Sequence, residues 1–161
     1  MRRFLKIAGV LFAVAVGLVF ALVLAAGVAI QTGHVANTRV VAGNKLPSRV
    51  TKLVADRAEF FPGERIRFFY SAAMTPGGDG NVLTDRRVIS YVDDGSDAWC
   101  EWLMLDDVVA AEFAFRGDFF EDSEIVVAAS DGTLLTLYVS AEADGDERFL
   151  DAIREAAGLD E

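Results

Sequence analysis

Between Ile7 and Ile30 the chain runs for 24 residues without a charge or a strongly polar side chain. As a helix rising about 1.5 Å per residue, this run reaches about 36 Å, more than a hydrocarbon core of roughly 30 Å. One tilted membrane span is the expectation. The basic tail over residues 1–6, with Arg2, Arg3 and Lys6, also suits a secretory signal, and small residues at Ala25, Gly27 and Ala29 would suit a peptidase. Signal-peptide apolar cores usually run about 7–15 residues, so the longer run favours an uncleaved anchor over residues 7–30.

Within the span, Gly9, Ala13, Gly17, Ala21, Ala25 and Ala29 recur every fourth residue along one slowly drifting helix face. Small side chains let two backbones approach closely, and close packing drives helix association in lipid. Self-association through this face is one expectation; a chance run in an Ala- and Gly-rich segment is the plain alternative. Three basic residues precede the span, while Arg39, Lys45 and Arg49 follow it, so the positive-inside rule is nearly balanced. The compact basic tail favours the amino terminus inside and the remaining domain outside the cytoplasm, with a cytoplasmic domain as the alternative.

Charge divides the chain just as sharply. All 25 Asp and Glu residues lie at or beyond Asp56, and the seven basic residues before it stand without an acid. Residues 31–55 therefore read as a basic juxtamembrane linker running into a first strand or helical turn, and 56–161 as an acidic domain. Such a domain repels phosphates, which argues against nucleic acid as a partner. Only the linker's cations suit anionic headgroups, and a solvated tether accounts for them more simply.

Cys100 is the sole thiol and His34 the sole imidazole. No intrachain disulfide is possible, a Cys/His zinc site lacks ligands, and a Ser-His-Asp or Cys-His arrangement would have to recruit a histidine beside the membrane. No cofactor or metal is expected. Paired acids at Asp93/Asp94, Asp106/Asp107 and Asp144/Asp146 lack the spacing of a calcium loop and read as solvated turns.

Beyond Pro62-Gly63 the pattern becomes short β-type runs. Ile66, Phe68 and Tyr70 alternate with Arg65, Arg67 and Phe69, which predicts a half-buried strand. Pro76 to Asn81 reads as a turn before Val82–Thr84 and Arg87–Val92, a hairpin. Trp99–Leu105, Val108–Phe115, Glu124–Ala129 and Thr133–Ser140 are further strand candidates, the last two joined by the tight turn Ser130-Asp131-Gly132. The end is amphipathic: Phe149, Leu150, Ile153 and Ala157 share a helical stripe that Asp144 or Asp146 caps and Gly158 ends. A small barrel or bent sheet plugged by that helix satisfies both patterns.

The segments Gly63-Glu64-Arg65-Ile66 with Phe69-Tyr70-Ser71, Leu83-Thr84-Asp85-Arg86-Arg87-Val88-Ile89-Ser90-Tyr91, and Leu103 to Val109 carry a resemblance. Residues of about 64–157 resemble the bacterial pleckstrin-homology (PH) domain family. The resemblance implies a mainly β fold, a PH-like barrel of two orthogonal antiparallel sheets closed at one end by the C-terminal helix. It also implies a non-catalytic binding or assembly module. Eukaryotic relatives often read phosphoinositides through a basic loop between their first strands, whereas Ala72 to Asn81 holds no Lys or Arg, so phosphoinositide binding is not expected.

Arg86 and Arg87 are candidates for gripping a carboxylate or phosphate, with neutralisation by neighbouring acids as the alternative. Trp99 and Trp102 are candidates for anchoring a partner, although burial in the core is the usual fate of tryptophan, and Cys100 reads as a small buried hydrophobe. Phe119 and Phe120, with Phe113 and Phe115, bracket a loop that is either a binding edge or a turn folded back under the core. Together these features predict a membrane-anchored interaction or oligomerisation module, binding itself or another membrane or envelope protein. The alternatives are a carboxylate-based enzyme and a lipid-binding module.

Overall fold

The computed structural model describes residues 2–159 apart from Asp94, Asp97 and Phe119, and side chains of the first helix from residue 12 onward, residue 13 excepted. Helix α1 (Arg2–Gln31) carries the apolar run, and it is long and apolar enough to cross a membrane. Its described apolar side chains, among them Leu18, Phe20, Leu22 and Val28, are exposed. Gly17, Ala21 and Ala25 are exposed with them; the side-chain positions of Gly9 and Ala13 lie outside the described residues.

The chain leaves α1 through Gly33, whose φ of +72° few other residues adopt. A Cβ there would stand 2.5 Å from Val50 Cγ2, so glycine also lets the helix end press onto the domain. The following segment is not a free tether. Strand β1 (Val41–Ala42) pairs antiparallel with β2 (Ile66–Tyr70), and helix α2 (Ser48–Arg57) buries Val50 and Val54. Arg49, Lys52 and Asp56 occupy the opposite, exposed face of α2. Two of the four basic residues that suggest a solvated linker, Arg49 and Lys52, are thus the wet side of an amphipathic helix.

Strands β3 (Asp79–Thr84), β4 (Arg87–Asp93) and β5 (Ala98–Met104) follow β2 as an antiparallel meander, giving a sheet of order β1-β2-β3-β4-β5. A 3-10 turn leads into β6 (Val108–Phe115), which with β7 (Ser123–Ala129) and β8 (Leu134–Val139) forms a second sheet. Helix α3 (Gly145–Ala157) closes the domain. Tyr70, Leu83, Val88 and Leu103 of the first sheet meet Ile125, Val127, Leu135 and Leu137 of the second, with Phe149, Leu150 and Ile153 of α3 sealing that core. The Asn81 side-chain amide donates to the Tyr138 carbonyl at 2.8 Å and ties the two sheets together. No ladder joins the sheets among the described residues, so the expected barrel is an open one.

Strands β2 to β4 of the first sheet are covered on both faces. Phe69, Val82, Ile89 and Tyr91 form a second core under Val50, Val54 and Ala58. The expected alternation of Ile66, Phe68 and Tyr70 is broken: a register shift between Ile66 and Phe68 turns Ile66 with Phe69 toward α2, while Phe68 and Tyr70 point to the other core. The expected C-terminal stripe is buried at Phe149, Leu150 and Ile153. Asp146 secures the start of α3 by accepting from the Ser123 hydroxyl and the Glu147 N–H, and Gly158 ends the helix at φ +70°.

Gly80 lies inside β3 rather than in a turn. It pairs with Tyr91, and a Cβ on it would stand 2.4 Å from the ring, whose hydroxyl donates to the Pro76 carbonyl. Glycine serves here for close aromatic approach. Gly80→Ala is expected to cost about 1–3 kcal/mol through displacement of a buried ring. The check is the thermal or urea midpoint of the full chain; an unchanged midpoint would show that the ring yields freely.

Candidate interaction surface

The two motifs that carried the family resemblance meet in space. Arg87, 2% exposed, lies at the start of β4 and aims Nε and Nη2 at Oε1 and Oε2 of Glu64, at 3.0 and 2.8 Å. The same carboxylate accepts from the Thr84 hydroxyl at 2.7 Å and the Phe61 N–H at 2.8 Å. Nη2 also reaches the Ala58 and Glu59 carbonyls, both at 3.3 Å. The guanidinium carbon sits 4.1 Å from the Phe61 ring centroid and 5.1 Å from that of Trp102. Burial raises the Glu64 pKa, but the bonds from Arg87, Thr84 and Phe61 outweigh it, so the carboxyl ends below its ordinary value.

The suggested arginine pair is thereby split. Arg87 is buried with Nε and Nη2 committed and two aromatic rings beside it, so it is not placed to meet an incoming anion. Arg86 is exposed, and its backbone is fixed by its N–H on Thr84 Oγ1 and its carbonyl under the Leu105 N–H.

What the node positions is the strand beside it. β5 ends the first sheet: β4 bonds it along one side, and no described strand bonds the other. Residues 98–102 are exposed, and Trp99 and Trp102 each keep 45% of their surface in solvent. Neither tryptophan fills the core as tryptophans usually do. Leu103 takes the inward place opposite Val88, Trp99 lies at the uncovered end of that face, and Trp102 stands edge-on to Phe61 on the other. Cys100 is likewise exposed at this edge, not a buried hydrophobe. Partial burial of its sulfur still raises the thiol pKa. Both tryptophans flank a row of unpaired backbone groups, a template for another chain.

The aromatic loop divides. Phe113 packs against the core with the Arg116 guanidinium 4.5 Å from its ring centroid, while Phe115 is partly exposed and Phe120 is 91% exposed. Phe119 lies outside the described residues, as does Asp94 of the paired acids. Among the described residues no group of three His, Cys, Asp or Glu is placed to hold a metal. The carboxyl raised above its usual range, by burial and by Asp79, is Asp122, which accepts the Tyr70 hydroxyl on both oxygens at 2.9 Å. Sequence patterning missed this contact, which joins residues 52 positions apart.

No protein-family model matches the chain, and no curated protein matches it significantly. Among solved structures, the pleckstrin homology domain from Shewanella amazonensis SB2B superposes with a TM-score of 0.51 at 18% identity, over 67% of this chain and 87% of that one. A DUF1696 family protein with a pleckstrin-homology domain, from Shewanella loihica PV-4, gives a TM-score of 0.49 at 14% identity, over 75% of this chain and 94% of that one. The chain therefore has a PH-like fold: two antiparallel sheets over one core, closed by a C-terminal helix, behind an apolar N-terminal helix.

Proposed function

We propose that this protein is a membrane-anchored, non-catalytic PH-like module that self-associates or binds another membrane protein through the free edge of β5. The single observation that carries the proposal is that edge: seven residues of strand bonded on one side only, with two half-exposed tryptophans. Anchoring by α1 confines copies to two dimensions, so contacts too weak to matter in solution gain effective concentration. The exposed small-residue face at Gly17, Ala21 and Ala25 supplies a second contact between anchors. The enzyme alternative requires two carboxyls with opposed pKa values in a cleft. Asp122 has a raised pKa but spends both oxygens on Tyr70.

Cys100, the sole thiol, is a built-in reporter on the β5 edge. In native membranes a short bis-maleimide at mildly alkaline pH, which offsets the raised thiol pKa, is expected to yield a crosslinked dimer. Ala98→Pro, which removes a backbone N–H from the side of β5 that no described strand bonds, should abolish that dimer, whereas Gly17→Ile with Ala21→Ile should weaken it only if the anchors also touch. A monomer at every crosslinker length would remove self-association at this edge.

A further inference from the structure

Where the last turn of α1 meets the domain lies a cavity of about 240 Å³, and it is amphiphilic. Ile30, Val35, Leu46 and Val50 give it an apolar wall, and Arg39 and Lys45 stand on its polar side. In a chain with 25 acidic residues, not one Asp or Glu lines it. Arg39 is committed to Glu142, with Nε 2.7 Å from Oε1, but Lys45 has no ion pair among the described residues. Arg49, on the exposed face of α2, bonds the His34 ring just beyond α1, and Lys52 continues the same face.

The position in the chain fixes the depth. Ile30 ends the apolar run, so the cavity sits where hydrocarbon gives way to headgroups if α1 spans. Met74, 85% exposed, is held at the same level by its carbonyl, which accepts the Ala36 N–H at 3.0 Å. An exposed apolar side chain held to the segment that follows α1 suits a surface that meets a leaflet.

We propose that this junction binds the headgroup of an anionic glycerophospholipid, its phosphodiester on Lys45, with Arg49 supporting from the exposed face of α2 outside the cavity wall, and its first acyl carbons against Ile30, Val35 and Leu46. The site is built by residues 30–50 together with Phe69 and Pro76, on the α1 side of the first sheet, and it uses the membrane anchoring of the proposed function but not its protein partner. An isolated phosphate would leave the apolar wall uncovered, which favours a lipid over a free anion. Each cation near an anionic surface strengthens binding several-fold, and the two act together.

The test uses the full chain in neutral detergent, offered equal phosphatidylglycerol and phosphatidylcholine and read by native mass spectrometry. Retention of phosphatidylglycerol over phosphatidylcholine is expected, with a loss of about tenfold or more in Lys45→Gln/Arg49→Gln. The equal-charge control Arg65→Gln/Arg86→Gln should retain lipid as the parent does, and the single Lys45→Gln variant covers the case in which loss of Arg49 disturbs folding. Equal retention of both lipids, no loss in either Lys45 variant, or the same loss in the control would overturn the site. Displacement by millimolar glycerol 3-phosphate as readily as by lipid would show that a free phosphate, not a lipid, is the ligand. Alkaline carbonate extraction of native membranes separates the two ideas: a chain that stays in the pellet but shows no lipid preference refutes the site alone, and a chain that is extracted refutes the anchoring.

Discussion

Arg87→Ala is expected to destabilise the domain by about 3–5 kcal/mol, the cost of leaving a buried carboxylate without its partner. Glu64 is enclosed with Arg87, and water cannot replace the lost fork without opening Phe61 and Trp102. Arg87→Lys should fall between, because an ammonium keeps the charge but neither bonds both carboxylate oxygens nor stacks flat on a ring. Glu64→Leu/Arg87→Met should recover much of the loss, since an apolar pair of similar volume avoids two desolvation costs. Urea midpoints across this double-mutant cycle give the coupling, and an Arg87→Ala variant within about 1 kcal/mol of the parent would refute it.

The node also sets a pH dependence. Glu64 has a folded pKa below its unfolded value, so its contribution is fully present above the ordinary carboxylate range and is lost as pH falls through the folded pKa. Acid destabilisation should therefore steepen below about pH 4, and Glu64→Gln should flatten that limb. Asp122 works in the opposite sense, because its raised pKa makes its share of stability decline as pH rises through that value.

The second large effect concerns where the domain starts. A fragment of residues 56–161 would strip most of α2 and β1 from the first sheet and expose Phe69, Val82, Ile89 and Tyr91. Full burial of such side chains is worth about 1.5–3 kcal/mol each, so the loss approaches the roughly 5–15 kcal/mol by which whole domains are stable. The 56–161 fragment is expected to lack a cooperative unfolding transition, while 36–161 should show one. Circular dichroism melts of the two fragments decide it: equal midpoints would mean that α2 only decorates the sheet.

Much of this domain was legible because its signals are local. Ser130-Asp131-Gly132 turns β7 into β8 as expected, with Gly132 at φ +88° and the Thr133 N–H on the Asp131 carboxylate. The stripe of α3 falls on the core because a period of 3.6 leaves one face to bury. The Leu-Thr-x-x-Arg run was visible too, but its chemistry was not. Nothing local says that Glu64, 23 positions before Arg87, returns to meet its guanidinium. The interaction surface was legible only as unusual residues: Trp99 and Trp102 stand out in any reading, but their exposure follows from β5 being last in its sheet.

The sequence by itself determined the apolar helix, the acidic β domain, the order of its later strands and the closing helix, since each follows from a repeat or a charge pattern within a short window. Tertiary structure alone decided that residues 36–58 belong to the domain, that Arg87 is an interior cation, and that the tryptophans face solvent. The physical reason is common to all three. Whether a charge or a ring is buried depends on which distant segment covers it, and the cover here comes from residues tens of positions away.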